Sequence, residues 1–167
     1  MILKIHKDED PVLHKRSAEI KQITADIVQL AEDMKETMYQ APGVGLAAPQ
    51  VGKNLRLIVI DHSQEKNNFQ VFINPKIISQ KGPLIDGLEG CLSVSKWEGF
   101  VERYKTITLS YQNLAGEKKK ETFEDFPARV IQHEIDHLNG LLFTAKVKDG
   151  RLYTKEQIAK MLEENKL

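Results

Sequence analysis

His133 and His137 stand four residues apart in "QHEIDHLNGLLF" (132–143), with Glu134 directly after the first. On a helix, residues i and i+4 share one face, so both imidazoles aim at one point without backbone distortion. A divalent cation needs that geometry from two of its ligands. Glu134 falls about 100° round such a helix, beside the cation rather than on it, where it can reach an activated water. The H-E-x-x-H spacing therefore predicts metal-assisted hydrolysis with a carboxylate as general base. An exposed polar face with i,i+4 pairing would use the same residue types. Against that, Val130, Ile131, Ile135 and Leu138 make the segment mostly apolar, so its polar residues are expected to face something particular.

Two imidazoles do not complete a metal site, and three positions are candidates for the third ligand. Extended as H-E-x-x-H-x-x-G-x-x-H, the metzincin pattern holds through Gly140 and fails at Phe143, which cannot ligate. Glu156 lies nineteen residues past His137 on a predicted helix, as in thermolysin-like peptidases, although its lysine-rich surroundings favour a solvated carboxylate. Cys91, in "LEGCLSVS", is the one cysteine. A thiolate suits zinc or ferrous iron, and a Cys/His/His set leaves the fourth position open. A lone cysteine is also commonly a small buried hydrophobe, or a nucleophile with a histidine base. Composition alone leaves these options open.

Several elements must position these residues. In "TADIVQLAEDMKETMYQ", Ile27, Leu30, Ala31, Met34 and Met38 form one apolar stripe, predicting a long helix capped by Thr24 with its methionines as core filler. "APGVGLAAPQVG" (41–52) ends it. Strands are predicted at 55–61, 69–79, 102–111 and 118–124, the last two joined by a turn at "NLAGEK". A second helix begins near Asp125, tolerates Pro127 in its first turn and stops at Gly140. After a "KDG" turn, Thr154 and Gln157 form a capping box for a short final helix, "KEQIAKMLEENK". This order describes an α+β fold with mostly antiparallel strands, not alternating βαβ units.

With 167 residues and no linker or repeat, the chain is expected to form a single domain over 1–167. Lys+Arg and Asp+Glu are equal at 24 each, so neither nucleic acid nor an anionic membrane is an expected partner. The "EKKKE" run (117–121) reads as a solvated hairpin rim. No stretch approaches the ~18 apolar residues of a membrane span, and the charged start is unlike a secretory signal. One cysteine excludes an internal disulfide framework and suits a reducing compartment. A soluble cytoplasmic protein is expected, with an organelle left open.

Three segments together resemble one family. "GVGLAAPQ" (43–50), "EGCLS" (89–93) and "QHEIDH" (132–137) are similar, in order and approximate spacing, to the G-x-G-x-A-A-x-Q, E-G-C-L-S and H-E-x-D-H motifs of peptide deformylases. The resemblance implies antiparallel sheets packed around a central metal-binding helix, with an N-terminal helix and a short C-terminal one. It implies removal of the N-formyl group from the formyl-Met of newly synthesised polypeptides, at the ribosome exit, with release of formate. It assigns Cys91, His133 and His137 as ligands and Glu134 as acid/base, with the Gln50 side-chain amide and the Leu92 backbone N–H as oxyanion donors. Val44, Gly45 and Gly90 become main-chain contacts for an added peptide strand, and Val130 with His133 lines the methionine pocket. The implied cofactor is one divalent cation, Fe²⁺ physiologically, in a site that Zn²⁺, Ni²⁺ or Co²⁺ can also occupy. Fe²⁺ beside a thiolate implies loss of activity in air. A monomer is expected.

Glu89 and Arg103 correspond to a family ion pair, expected to brace a Cys91 loop. The family commonly has proline at Ser95 and Tyr104, and often a larger apolar pocket residue at Gly87. Trp97 is expected at the rim of a loop covering "SVSKWEGFVERY", and His6, His14 and His62 as plain surface histidines.

Overall fold

Leu57, Ile58, Val59 and Ile60 are apolar without alternation, which suits a strand covered on both faces. The computed structural model, which describes residues 1–148 and 150–167, buries all four. Leu57 and Val59 pack with Met34, Met38 and Leu46 on one side. Ile58 and Ile60 pack with Phe72, Ile107, Leu109 and Ile131 on the other. Each such side chain contributes roughly 1.5–3 kcal/mol by leaving water. The predicted methionine stripe is therefore core.

The elements are α1 (Ala25–Gln40), β1 (Gly45–Ala47), β2 (Leu57–Ile60), β3 (Gln70–Cys91), β4 (Val94–Gln112), β5 (Lys118–Glu124), α2 (Asp125–Leu138), β6 (Leu152–Thr154) and α3 (Lys155–Glu163). The strands run in the order β1-β2-β3-β4-β5, all neighbours antiparallel, and β6 pairs with β4. Helix α1 belongs to the first core cluster and α2 to the second, on opposite faces of β2. This is the expected α+β arrangement, drawn as one continuous sheet instead of several.

The expected ends of α2 hold. Pro127 lies in its first turn, and Gly140 takes φ +77° just beyond its last turn. A side chain at Gly140 would meet the His14 carbonyl carbon at 2.9 Å. Arg56 donates to Leu138 O at 3.0 Å and to Asn139 Oδ1 at 3.0 Å, so a cation satisfies the helix C-terminus. Thr24 occupies the N-cap of α1 without a side-chain cap bond, whereas Thr154 and Gln157 form the predicted capping box. The "KDG" turn includes a residue outside those described.

Strand lengths differ from expectation. β3 continues to Cys91 and β4 begins at Val94, so the segment expected as a loop is half of a long two-stranded ribbon. Residues 80–86, midway along β3, are exposed whichever face they point to, which removes the alternation by which strands are recognised. Gly82, at φ +83°, and Pro83 fall in a register shift between Lys81 and Leu84. Trp97 is not a loop-rim residue: it pairs with Thr154 across β4 and β6 and packs against the cluster of Leu13, Val94, Val101 and Phe143.

Candidate metal centre

The first donor stands at the inner tip of the ribbon. Cys91 closes β3 opposite Val94, with Leu92 and Ser93 making the turn. The turn is held from outside, since Leu92 O accepts from Lys7 Nζ at 3.0 Å and Ser93 O from the Asp8 N–H at 2.9 Å. Cys91 Sγ lies 3.3 Å from His137 Nε2. The donor atoms of Cys91, His133 and His137 all lie within 4.8 Å of one another. Among the described residues this is the one group of three or more such side chains so placed.

The imidazoles ride on α2, whose residues from Val130 to Leu138 are all buried. His133 Nδ1 lies 2.9 Å from Glu89 Oε1. A carboxylate there holds the proton on Nδ1 and leaves Nε2 free to ligate. Glu89 also accepts from Arg103 Nε and Nη2, each at 2.9 Å, and from Arg129 Nη1 at 2.7 Å. Arg103 donates in turn to Asp136 Oδ2, whose other oxygen accepts from Lys146. The expected Glu89–Arg103 pair is therefore buried, and it braces the metal helix as directly as the cysteine turn. Burial alone would raise the Glu89 pKa, but the bonds from Arg103 and His133 outweigh it and hold the carboxyl well below the usual range.

Two groups sit where chemistry needs them. Glu134 is buried, its Oε2 has no hydrogen-bond partner among the described residues, and burial foremost pushes its pKa up to about 7. Gln50 Oε1 accepts the Ala47 N–H at 2.9 Å, which fixes the amide so that Nε2 points at Ser93 Oγ (3.1 Å) and Cys91 Sγ (3.5 Å). Burial lowers the pKa of His133, yet its bonds to Cys91 and Glu89 and the charge of Glu134 outweigh this and lift it to about 10. Burial, then the charge of His133, drives the His137 pKa well below its ordinary value. One thiol and two imidazole nitrogens converging, on a cavity wall that also carries the unpartnered Glu134 carboxyl, fit a divalent cation of the zinc or iron type. A cation and a proton compete for the same atoms.

A cavity of about 360 Å³ opens onto this centre, lined by Gly43, Val44, Gly45, Leu88, Gly90 and Val130, with Gln50, Cys91, His133 and Glu134 also on its wall. A Cβ at Gly45 would meet Glu134 Oε1 at 2.8 Å and Val130 Cγ1 at 3.0 Å, so only glycine lets β1 pass this close to the carboxylate. The structure thus brings together every site residue read from the sequence. It leaves two alternatives outside: Glu156 is exposed on α3, and the Phe143 ring stacks on His133 with centroids 6.0 Å apart. Of the other histidines only His14 is plainly exposed; His6 packs over Gly52 and pairs with Asp10, and His62 meets the edge of Phe126. Sequence reasoning missed Arg129 and gave Asp136 no role, although Asp136 stands inside the H-E-x-D-H pattern.

A profile of the polypeptide deformylase family matches residues 2–152. The chain belongs to the peptide deformylase family. It is 47% identical over 145 residues to a peptide deformylase of Desulfotalea psychrophila, covering 85% of each chain. The deformylase of Thermotoga maritima superposes with a TM-score of 0.85 at 40% identity, over 89% of this chain and 99% of that one. A Met-Ala-Ser-bound class I type b deformylase from Acinetobacter baumannii superposes with a TM-score of 0.83 at 36% identity, over 87% of this chain and 99% of the other. This deformylase is an enzyme, and no helix among its described residues is long and apolar enough to cross a membrane.

Proposed function

We propose that residues 1–167 act as one catalytic domain that hydrolyses the N-formyl group from formyl-Met at the start of newly made polypeptides, releasing formate. The observation that carries this reading is the buried, unpartnered Glu134 carboxyl beside the Cys91, His133 and His137 donor atoms at one cavity. A divalent cation held by those three residues, Fe²⁺ in this reading with Zn²⁺, Ni²⁺ and Co²⁺ as substitutes, supplies Lewis acidity for activating water. Glu134 takes the proton of the attacking water at its free oxygen and returns it to the leaving amine. Burial, which raises the Glu134 pKa above the usual carboxyl range, favours the protonated form that the return step needs.

The Gln50 Nε2 amide and the Leu92 backbone N–H donate to the formyl oxygen as charge develops there. Gln50 is suited because Ala47 already fixes its orientation, so no rotamer freedom is lost on binding. The peptide adds as a strand along Val44, Gly45 and Gly90, and the methionine side chain enters the cavity against Val130. The Met-Ala-Ser complex of the Acinetobacter relative supports this substrate class.

The test is formate release from formyl-Met-Ala by protein purified without oxygen and loaded with Fe²⁺. Release well above a Glu134→Ala background is expected; release no higher than that background would leave a binding domain without turnover. Metal analysis of Cys91→Ala and Glu156→Ala runs in parallel. Loss of the cation in the first and retention in the second is expected, and the reverse would overturn the ligand set.

A further inference from the structure

Gly87 carries no side chain, and the structure shows what takes the space. A Cβ there would lie 2.7 Å from Arg129 Cζ and 2.9 Å from Arg129 Nη2. The guanidinium lies across the bare strand, held by Glu89 Oε2 at 2.7 Å, Val101 O at 2.9 Å and Ile85 O at 2.5 Å. Three acceptors on two strands fix a planar fork that would otherwise be mobile. Arg129 side-chain exposure is only 13%.

Arg129 also lines two cavities. One is the cavity of about 360 Å³ at the metal centre; the other, of about 190 Å³, lies between Ile85, Tyr104, Lys105 and Asp125. Phe126 and Arg129, one turn apart on α2, are the residues common to both. We propose that the Gly87–Arg129 pair is a partition that closes the side-chain pocket and sets the length of the first residue the enzyme accepts. The proposal rests on the deformylase reading above and adds a specificity-determining residue to it. With the partition in place, a side chain of about methionine length fills the pocket. Without it, the two cavities join and a longer chain runs on between Ile85 and Tyr104.

Arg129 also holds Glu89, so its removal can slow turnover on every substrate, and absolute rate is not the deciding readout. The deciding readout is the ratio of kcat/KM for a formyl-dipeptide whose first side chain is linear octyl to that for one with linear butyl, each followed by alanine. Wild-type enzyme should disfavour the octyl substrate by about tenfold or more, the range that pocket fit provides. Arg129→Ala should raise the ratio by about tenfold. Gly87→Ala, whose methyl pushes the guanidinium off Ile85 O and Val101 O, should raise it by about threefold. Calorimetric binding of the two deformylated dipeptides to the metal-loaded protein should follow the same order.

A ratio that moves by less than about twofold in Gly87→Ala, and in Arg129→Ala if that variant folds, overturns the partition and leaves Arg129 as a brace alone. The two readings fail separately. No formate from any substrate, with wild-type binding still selective for butyl over octyl, would sink the activity and keep the partition. Formate from both substrates at equal efficiency would do the opposite.

Discussion

The inner end of the β3–β4 ribbon and its middle share strands and ladder yet differ in almost everything else. At the inner end, Glu89 and Arg103 are buried within a network that reaches His133, Arg129 and Asp136. In the middle of the ribbon, Lys81 to Leu84 face Tyr104 to Thr106 with Leu84 half exposed and a register shift in the pairing. From Lys81 to Leu84 the strand is held by backbone pairing, and side-chain bonds to the metal helix begin at its flanks, Ile85 and Tyr104. The inner end instead depends on charges that satisfy one another away from water, and that dependence ties catalysis to stability there.

The largest break in this contrast should come from Glu89→Leu, which leaves Arg103, Arg129 and His133 facing an apolar side chain. Loss of one partner from a buried ion network costs about 3–5 kcal/mol, or roughly 10 °C in Tm for a chain of this size. Thermal unfolding would check it, and a drop of only 1–2 °C would show that the network contributes little.

The same carboxyl predicts an acid limb. Its folded pKa lies below its unfolded value near 4.3, so its stabilisation is fully present above about pH 5 and is lost as pH falls through and below that value. Urea unfolding from pH 6 to 3 should show a steeper decline for wild type than for Glu89→Gln. Parallel slopes would exclude Glu89 as the source.

Tyr104→Pro tests the boundary between the two stretches. The Tyr104 N–H donates to Gln132 Oε1 at 3.2 Å, and Gln132 Nε2 donates back to Tyr104 O at 2.9 Å, joining β4 to the metal helix. Proline removes the donor, at an expected cost of about 1–2 kcal/mol. An unchanged urea midpoint would mean that the remaining bond suffices. In the middle of the ribbon, Leu84→Ser should change stability by only about 0.5 kcal/mol or less, and a larger loss would reveal packing that exposure does not show.

Much of the centre is legible in the amino-acid sequence. H-E-x-x-H spacing fixes two imidazoles and a carboxylate relative to one another because a helix repeats locally, and the continuous apolar run at 57–60 announces a strand covered twice. The position of Cys91 relative to those imidazoles is set by a hairpin and a sheet, and only the family resemblance places it. The middle of the ribbon is illegible because solvent on both faces removes the period-2 signal, and Gly82–Pro83 looks like a turn. Arg129 is invisible for another reason: nothing local distinguishes an arginine that folds over a distant glycine from one that points to solvent.

The separation of the donors also has a consequence in time. Cys91 precedes His133 by 42 residues, which at roughly 5–20 residues per second is about 2–8 s of synthesis. During that interval the sulfur donor exists without either imidazole, so the site cannot close on a cation until α2 has been made.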